Sequence, residues 1–69
     1  MTKIIEQIIV RDNKTQREFT YTTCEEKGLW YQIDSVHKAI SITQLSFDSN
    51  RTIAFLFDYS IINIKWQSK

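Results

Sequence analysis

Covalent chemistry by side chains most often falls to cysteine and histidine, and the chain has one of each, Cys24 and His37. A nucleophile works when a base takes its proton and a third group orients that base. The neighbours of Cys24 oppose this. Glu25 and Glu26 follow it directly, and carboxylates raise a thiol's pKa and lower its reactivity. Cys24 reads as a small apolar filler in a strand, and His37 as a surface side chain. Carboxylate pairs such as Asp34 with Asp48, or Glu25 with Glu26, would have to flank a cleft at a fixed separation. A chain this short has little room for one. A single glycine cannot build a phosphate-cradling loop, and no calcium-loop or HExxH spacing is present. One Cys and one His fall short of a structural zinc site. The expectation is a protein that is not an enzyme, takes no cofactor and holds no metal.

Binding is the work these residue types leave open. Trp, Tyr and Arg are the side chains that anchor interfaces. The aromatics not forced inward by alternation are Trp30, Tyr21, Tyr59 and Trp66, and the cations set among them include Arg17, Lys38 and Arg51. These seven are the candidate partner-binding residues. The expected partner is a larger protein, with self-association through an edge strand as a second mode. The chain then reads as an accessory or regulatory factor. The alternative is a small barrel that binds single-stranded nucleic acid, stacking bases on Trp30 beside a basic groove. Charge opposes that alternative. The chain carries 9 basic and 8 acidic residues, interspersed, for a net charge of +1. Nucleic-acid binders usually show a strongly basic face.

Such side chains need a scaffold, and the pattern of the chain indicates which. Its 69 residues make one domain, 1–69. A chain of about 60 residues buries only roughly 60% of its unfolded surface. No disulfide can form within it, so an efficient apolar core or a second subunit must supply stability. Apolar residues at 42% and aromatics at 13% argue against disorder. Short runs alternate at period two between polar punctuation. The run 3–11 fits either a strand or an amphipathic helix, and its Ile and Val favour the strand. Asp12-Asn13-Lys14-Thr15 then reads as a hairpin turn. Runs 16–24 and 29–34 alternate cleanly, and Gly28 marks a turn or bulge between them. From Val36 the chain forms either a helical turn or an extended stretch. A change of phase near Thr43-Gln44 predicts a bulge. Asp48-Ser49-Asn50-Arg51 predicts a turn. Residues 52–58, apolar on both faces, read as a central strand covered on both sides.

The expected fold is mainly β: a small antiparallel barrel or sandwich of five to six short strands, SH3-like or OB-like in size, with at most one short helix. The expected core is Ile8, Phe19, Tyr21, Tyr31, Ile33, Ile42, Leu45, Ile53, Phe55, Phe57, Ile62 and Ile64. On that assignment, Phe55→Ala costs about 3–5 kcal/mol. The Ile-rich start is broken by Glu6 and Gln7 and lacks the apolar run of a secretory signal. No run approaches the length of a membrane span. The expected compartment is the cytoplasm. The chain is rich in Ile, Lys, Asn, Tyr and Phe, with one Gly, two Ala and no Pro. That bias is common in proteins encoded by AT-rich genomes, such as those of low-GC bacteria, their phages and mobile elements.

Overall fold

A computed structural model describes residues 3–23 and 27–68. Cys24, Glu25 and Glu26 lie outside the described residues. The chain forms six strands: β1 (Lys3–Asp12), β2 (Arg17–Thr22), β3 (Leu29–Asp34), β4 (Ala39–Gln44), β5 (Arg51–Phe57) and β6 (Tyr59–Ser68). Every pairing is antiparallel, and the sheet curls into a half-barrel. No helix occurs among the described residues, so none is available to cross a membrane. The mainly-β expectation holds, with six strands.

The ambiguous first run is a strand because both of its edges are used. Along one edge β1 pairs with β6 from Lys3 to Asp12. The other edge is divided: Gln7–Asp12 pair with β2, while Ile5 lies opposite Leu29 of β3. A strand with three partners outcompetes a short helix, whose stability would rest on one packed face. β3, β4 and β5 continue the sheet in order. The divided edge thus creates two halves, β2–β1–β6 and β3–β4–β5, joined at Ile5 and Leu29. Gly28 sits at that junction with φ of +74°. A Cβ there would run into Ile4 Cγ2 and lie 2.7 Å from the Ile5 carbonyl oxygen. Only glycine suits this place, for both conformation and space.

Two hairpin turns share one design. In the β1–β2 turn, Asp12 Oδ1 accepts from the backbone N–H of Lys14 (2.9 Å) and Thr15 (3.4 Å). In the β3–β4 turn, Asp34 Oδ1 accepts from Val36 (3.0 Å) and His37 (3.3 Å). Each turn ends in a left-handed residue, Gln16 (φ 62°) or Lys38 (φ 52°). The stretch after Val36 is therefore a turn over 35–38, not a helix. Asp58 ties the two turns together. Its N–H donates to the Lys38 carbonyl, and its own carbonyl accepts from Asn13 N–H, both at 2.9 Å. At Asp58 (φ 50°) the chain turns a corner. Before it, the extended chain pairs with β4; after it, with β1. Strands that switch neighbours through a bend close the corners of small β folds.

The core is aliphatic: Ile5, Ile8, Val10, Leu29, Ile40 and Ile42 are buried together, and Ala39, of the opposite parity on β4, is buried as well. Phe19, Tyr21, Tyr31, Ala54, Leu56, Tyr59, Ile61 and Ile64 pack around it, partly buried. Leu45, expected in the core, is half-buried beyond the end of β4. Five expected core residues are instead exposed: Ile33, Ile53, Phe55, Phe57 and Ile62. The reasons are specific. β4 turns Ile40 and Ile42 inward opposite Leu56 and Ala54, so β5 presents its small set inward and its bulky set outward. β5 is also an edge strand, not a covered central one. Ile53 and Ile62 are the extra residues of bulges, skipped where the ladder steps from Ala54 to Thr52 and from Asn63 to Ile61. The bulge expected near Thr43 is the first of these, its extra residue carried by β5. Ile33 has inward parity opposite Ile40 but stands where the half-barrel is open.

Candidate protein-binding face

Strand alternation assigns each half an outward set. On the β3–β4–β5 half, Trp30 stands opposite Thr43, Gln32 opposite Ser41, Ser41 opposite Phe55, and Ala39 opposite Phe57. The middle strand thus offers only small side chains, and larger ones rise on both sides. Trp30 is 53% exposed, Phe55 57% and Phe57 59%. The two phenylalanine rings meet edge to face, with centroids 5.0 Å apart and planes at 77°. Trp30 stacks on Tyr31 at 5.6 Å. Such contacts hold aromatic side chains in place at little entropic cost when a partner arrives. A depression of about 420 Å³ runs along this face, lined by Gln32, Asp34, Ser35, Ala39, Ser41 and Phe55. A second one, of about 460 Å³, opens where the chain turns from β5 into β6, lined by Lys38, Asp58, Tyr59 and Ile61 among others. The two share Ile33, Asp34 and Ser35 in their linings, at the end of β3.

The charges around this half are mixed. Lys27, Lys38 and Arg51 are interspersed with Asp34, Asp48 and Asp58. Lys27 Nζ lies 4.8 Å from the centre of the Phe47 ring, a cation–π contact beside the loop before β5. His37 Nδ1 lies 2.7 Å from Asp34 Oδ2, and because the carboxylate accepts, the imidazole carries its proton on that nitrogen. This hydrogen bond is the main cause holding the Asp34 carboxyl below its ordinary value, and the backbone N–H of His37 adds to it.

The seven residues singled out from the sequence are dispersed. Trp30 is displayed on β3, and Arg51 is exposed at the start of β5 opposite Gln44. Lys38 and Tyr59 both line the second depression. Tyr21 on β2 is partly buried against the core. Trp66, on β6 opposite Ile5, is 45% exposed. Arg17, opposite Asp12, belongs to the far half. The side chains that sequence reasoning missed are Phe55 and Phe57. One signal was present: the intervening Ala54 and Leu56 also form a coherent apolar set, leaving the face of β5 open to either choice.

Compared with family models, curated proteins and solved structures, the chain finds no match. Its candidate site therefore stands on geometry alone. Among the described residues, no three His, Cys, Asp or Glu side chains gather as a metal site. What the displayed face offers chemically is apolar area, aromatic edges and a few hydrogen-bonding groups at a groove.

Proposed function

We propose that the chain is a small non-enzymatic accessory or regulatory domain that docks on a larger protein through the outward face of β3, β4 and β5. The observation that supports this is the pair Phe55 and Phe57, each more than half exposed on a sheet face that also displays Trp30. Covering the exposed part of either phenylalanine is worth about 2–3 kcal/mol at ~25 cal/mol per Å². Contiguous apolar surface of this kind marks interaction sites. The setting we propose is the cytoplasm of a low-GC bacterium, either as its own protein or as one encoded by a phage or mobile element. Single-stranded nucleic acid is the second reading, favoured by the display of Trp30. Aspartates around the same face weaken it, since backbone neutralisation dominates such affinity.

Affinity capture from source lysate separates the two. The tagged chain should retain a protein at stoichiometric amount, and Trp30→Ser, which leaves the core untouched, should lose it. Retention of no such protein counts against docking. Quenching of tryptophan fluorescence by oligonucleotides at low salt, reversed at high salt, would turn the reading to nucleic acid.

A further inference from the structure

Among the described residues β2, β5 and β6 each leave a whole edge without a partner strand, and β3 leaves one beyond Leu29. Their protection differs. β2 opens on Arg17-Glu18, and β6 carries Lys65 and the bulge at Ile62. Charges and bulges are the devices that keep edges from pairing. β5 opens on Arg51, but from Thr52 to Phe57 it runs six residues with no charge and no proline, against four (Phe19 to Thr22) on β2. It has a bulge at Ile53, but beyond that the ladder to β4 is regular through Phe57. This is the edge left open to another strand.

The sequence of β5 suits one strand in particular. We infer that β5 pairs edge to edge with β5 of a second copy of this chain, antiparallel about a two-fold axis at Phe55. The inference rests on the reading of the β3–β4–β5 half as a binding surface, and it names the first occupant of that surface. Antiparallel partners share a face only when their positions have matching parity. Centring on Phe55 meets this condition. Phe55 then faces the partner's Phe55, and Ala54 faces the partner's Leu56. On the outward side, Ile53 and Phe57 of the two copies flank the central rings. On the inward side, Ala54 and Leu56 extend the aliphatic core across the axis. Charge selects the antiparallel direction. It brings the Arg51 end of each strand to the Asp58 end of the other, whereas a parallel pair would set like charges together.

Area sets the strength. Ile53, Phe55 and Phe57 stand on the outward face, so pairing covers only their flanks, and with the paired backbone the interface falls below the ~1,200 Å² of standard specific interfaces. An interface of that size fits a weak, concentration-dependent dimer. It would join two aromatic faces into one continuous sheet surface.

Sedimentation equilibrium on the full chain tests this, with Phe55→Lys and Phe55→Glu as variants. Residue 55 points outward, so both variants should fold, which circular dichroism checks. The wild-type chain should dimerise at tens to hundreds of micromolar. Each variant alone sets like charges on the axis and should weaken the dimer at least ten-fold. An equimolar mixture of the two should restore association as a mixed dimer, which only facing residues allow. A wild-type chain that stays monomeric up to about 1 mM overturns the inference. So does a mixture of folded variants that stays monomeric. Neither result touches the capture experiment with Trp30→Ser, which lies on β3 away from the axis. Conversely, a dimer that captures no other protein leaves this inference standing and removes the docking reading.

Discussion

The two halves of the sheet turn different surfaces to solvent. On β2–β1–β6 the outward side chains are Glu18, Thr20 and Thr22, then Gln7, Ile9 and Arg11, then Ser60, Asn63 and Lys65. Polar groups dominate, and some pair with one another: Gln7 Nε2 donates to Thr22 Oγ1 at 2.9 Å, and Lys65 Nζ lies 3.8 Å from Glu6 Oε2. On β3–β4–β5 the corresponding positions hold Trp30, Phe55 and Phe57 around small residues. Inward, the halves match. β1 gives Ile5, Ile8 and Val10 to the core, and β3 and β4 give Leu29, Ile40 and Ile42. Folding needs only this inward set. The difference outside is what folding does not explain, and it is where function is sought.

The comparison breaks most easily at the core. Ile40 is fully buried and Phe57 is 59% exposed, although the phenylalanine is the larger. Ile40→Ala should cost about 2–5 kcal/mol, enough to threaten a domain whose total stability is about 5 kcal/mol. Phe57→Ala should cost about 1 kcal/mol or less, mostly lost strand propensity. Chemical denaturation of both variants checks the order. If Phe57→Ala proves the costlier, the assignment of inward and outward on β5 is reversed.

That order also shows what the sequence could convey. Alternation locates β2, β3, β5 and β6, because a half-buried strand must alternate; the pattern of β1 also fits a helix and only its Ile and Val favour the strand, and β4 stays open between a turn and an extended stretch. The turn at 12–15 and the bulge near Thr43 were legible through Asp, Asn and a change of phase. The facing of β5 was not. Ile53, Phe55 and Phe57 outweigh Ala54 and Leu56 in bulk, so a local reading sends them inward. Only the partner strand decides, and Ile40 and Ile42 on β4 choose Leu56 and Ala54. Edge position was equally hidden, since it follows from the chain leaving β4 at Asp58 and pairing, as β6, with β1. Of the candidate site, the sequence points to Trp30, Lys38 and Arg51 on this half, while it places the two phenylalanines in the core.

The junction between the halves gives a smaller effect. Gly28→Ala places a Cβ at positive φ against Ile4 and the Ile5 carbonyl. The cost should be about 1–3 kcal/mol, read by thermal denaturation. A neutral result would mean that β3 does not cross β1 at Ile5. Smaller again are the two left-handed turn residues. Releasing Gln16 or Lys38 from the αL region by substitution with glycine gains up to about 1 kcal/mol. The extra freedom of glycine in the unfolded chain offsets much of it. Gln16→Gly and Lys38→Gly should therefore shift stability by a few tenths of a kcal/mol, and by similar amounts. Unequal shifts would show that the turns are alike in hydrogen bonding but not in strain.

The least effect, and the most local, separates those turns. Asp12 and Asp34 each accept two backbone N–H groups, but only Asp34 also accepts from an imidazole, at 2.7 Å. The Asp34 carboxyl is held below its ordinary 3.8, chiefly by the His37 side chain. A lowered folded-state pKa means that the charged carboxylate favours the fold. Its contribution is complete above the unfolded value and fades as pH falls through the folded one. Asp34 is exposed, so the consequence for stability is slight. A carboxyl-carbon NMR titration reads it directly. The Asp34 midpoint should lie below 3.8 in the wild type and rise in His37→Ala. It should still stop short of the ordinary value, because the N–H groups of residues 36 and 37 remain. A midpoint that does not move would assign the whole shift to the backbone, and the two turns would then be equivalent in chemistry as well as in shape.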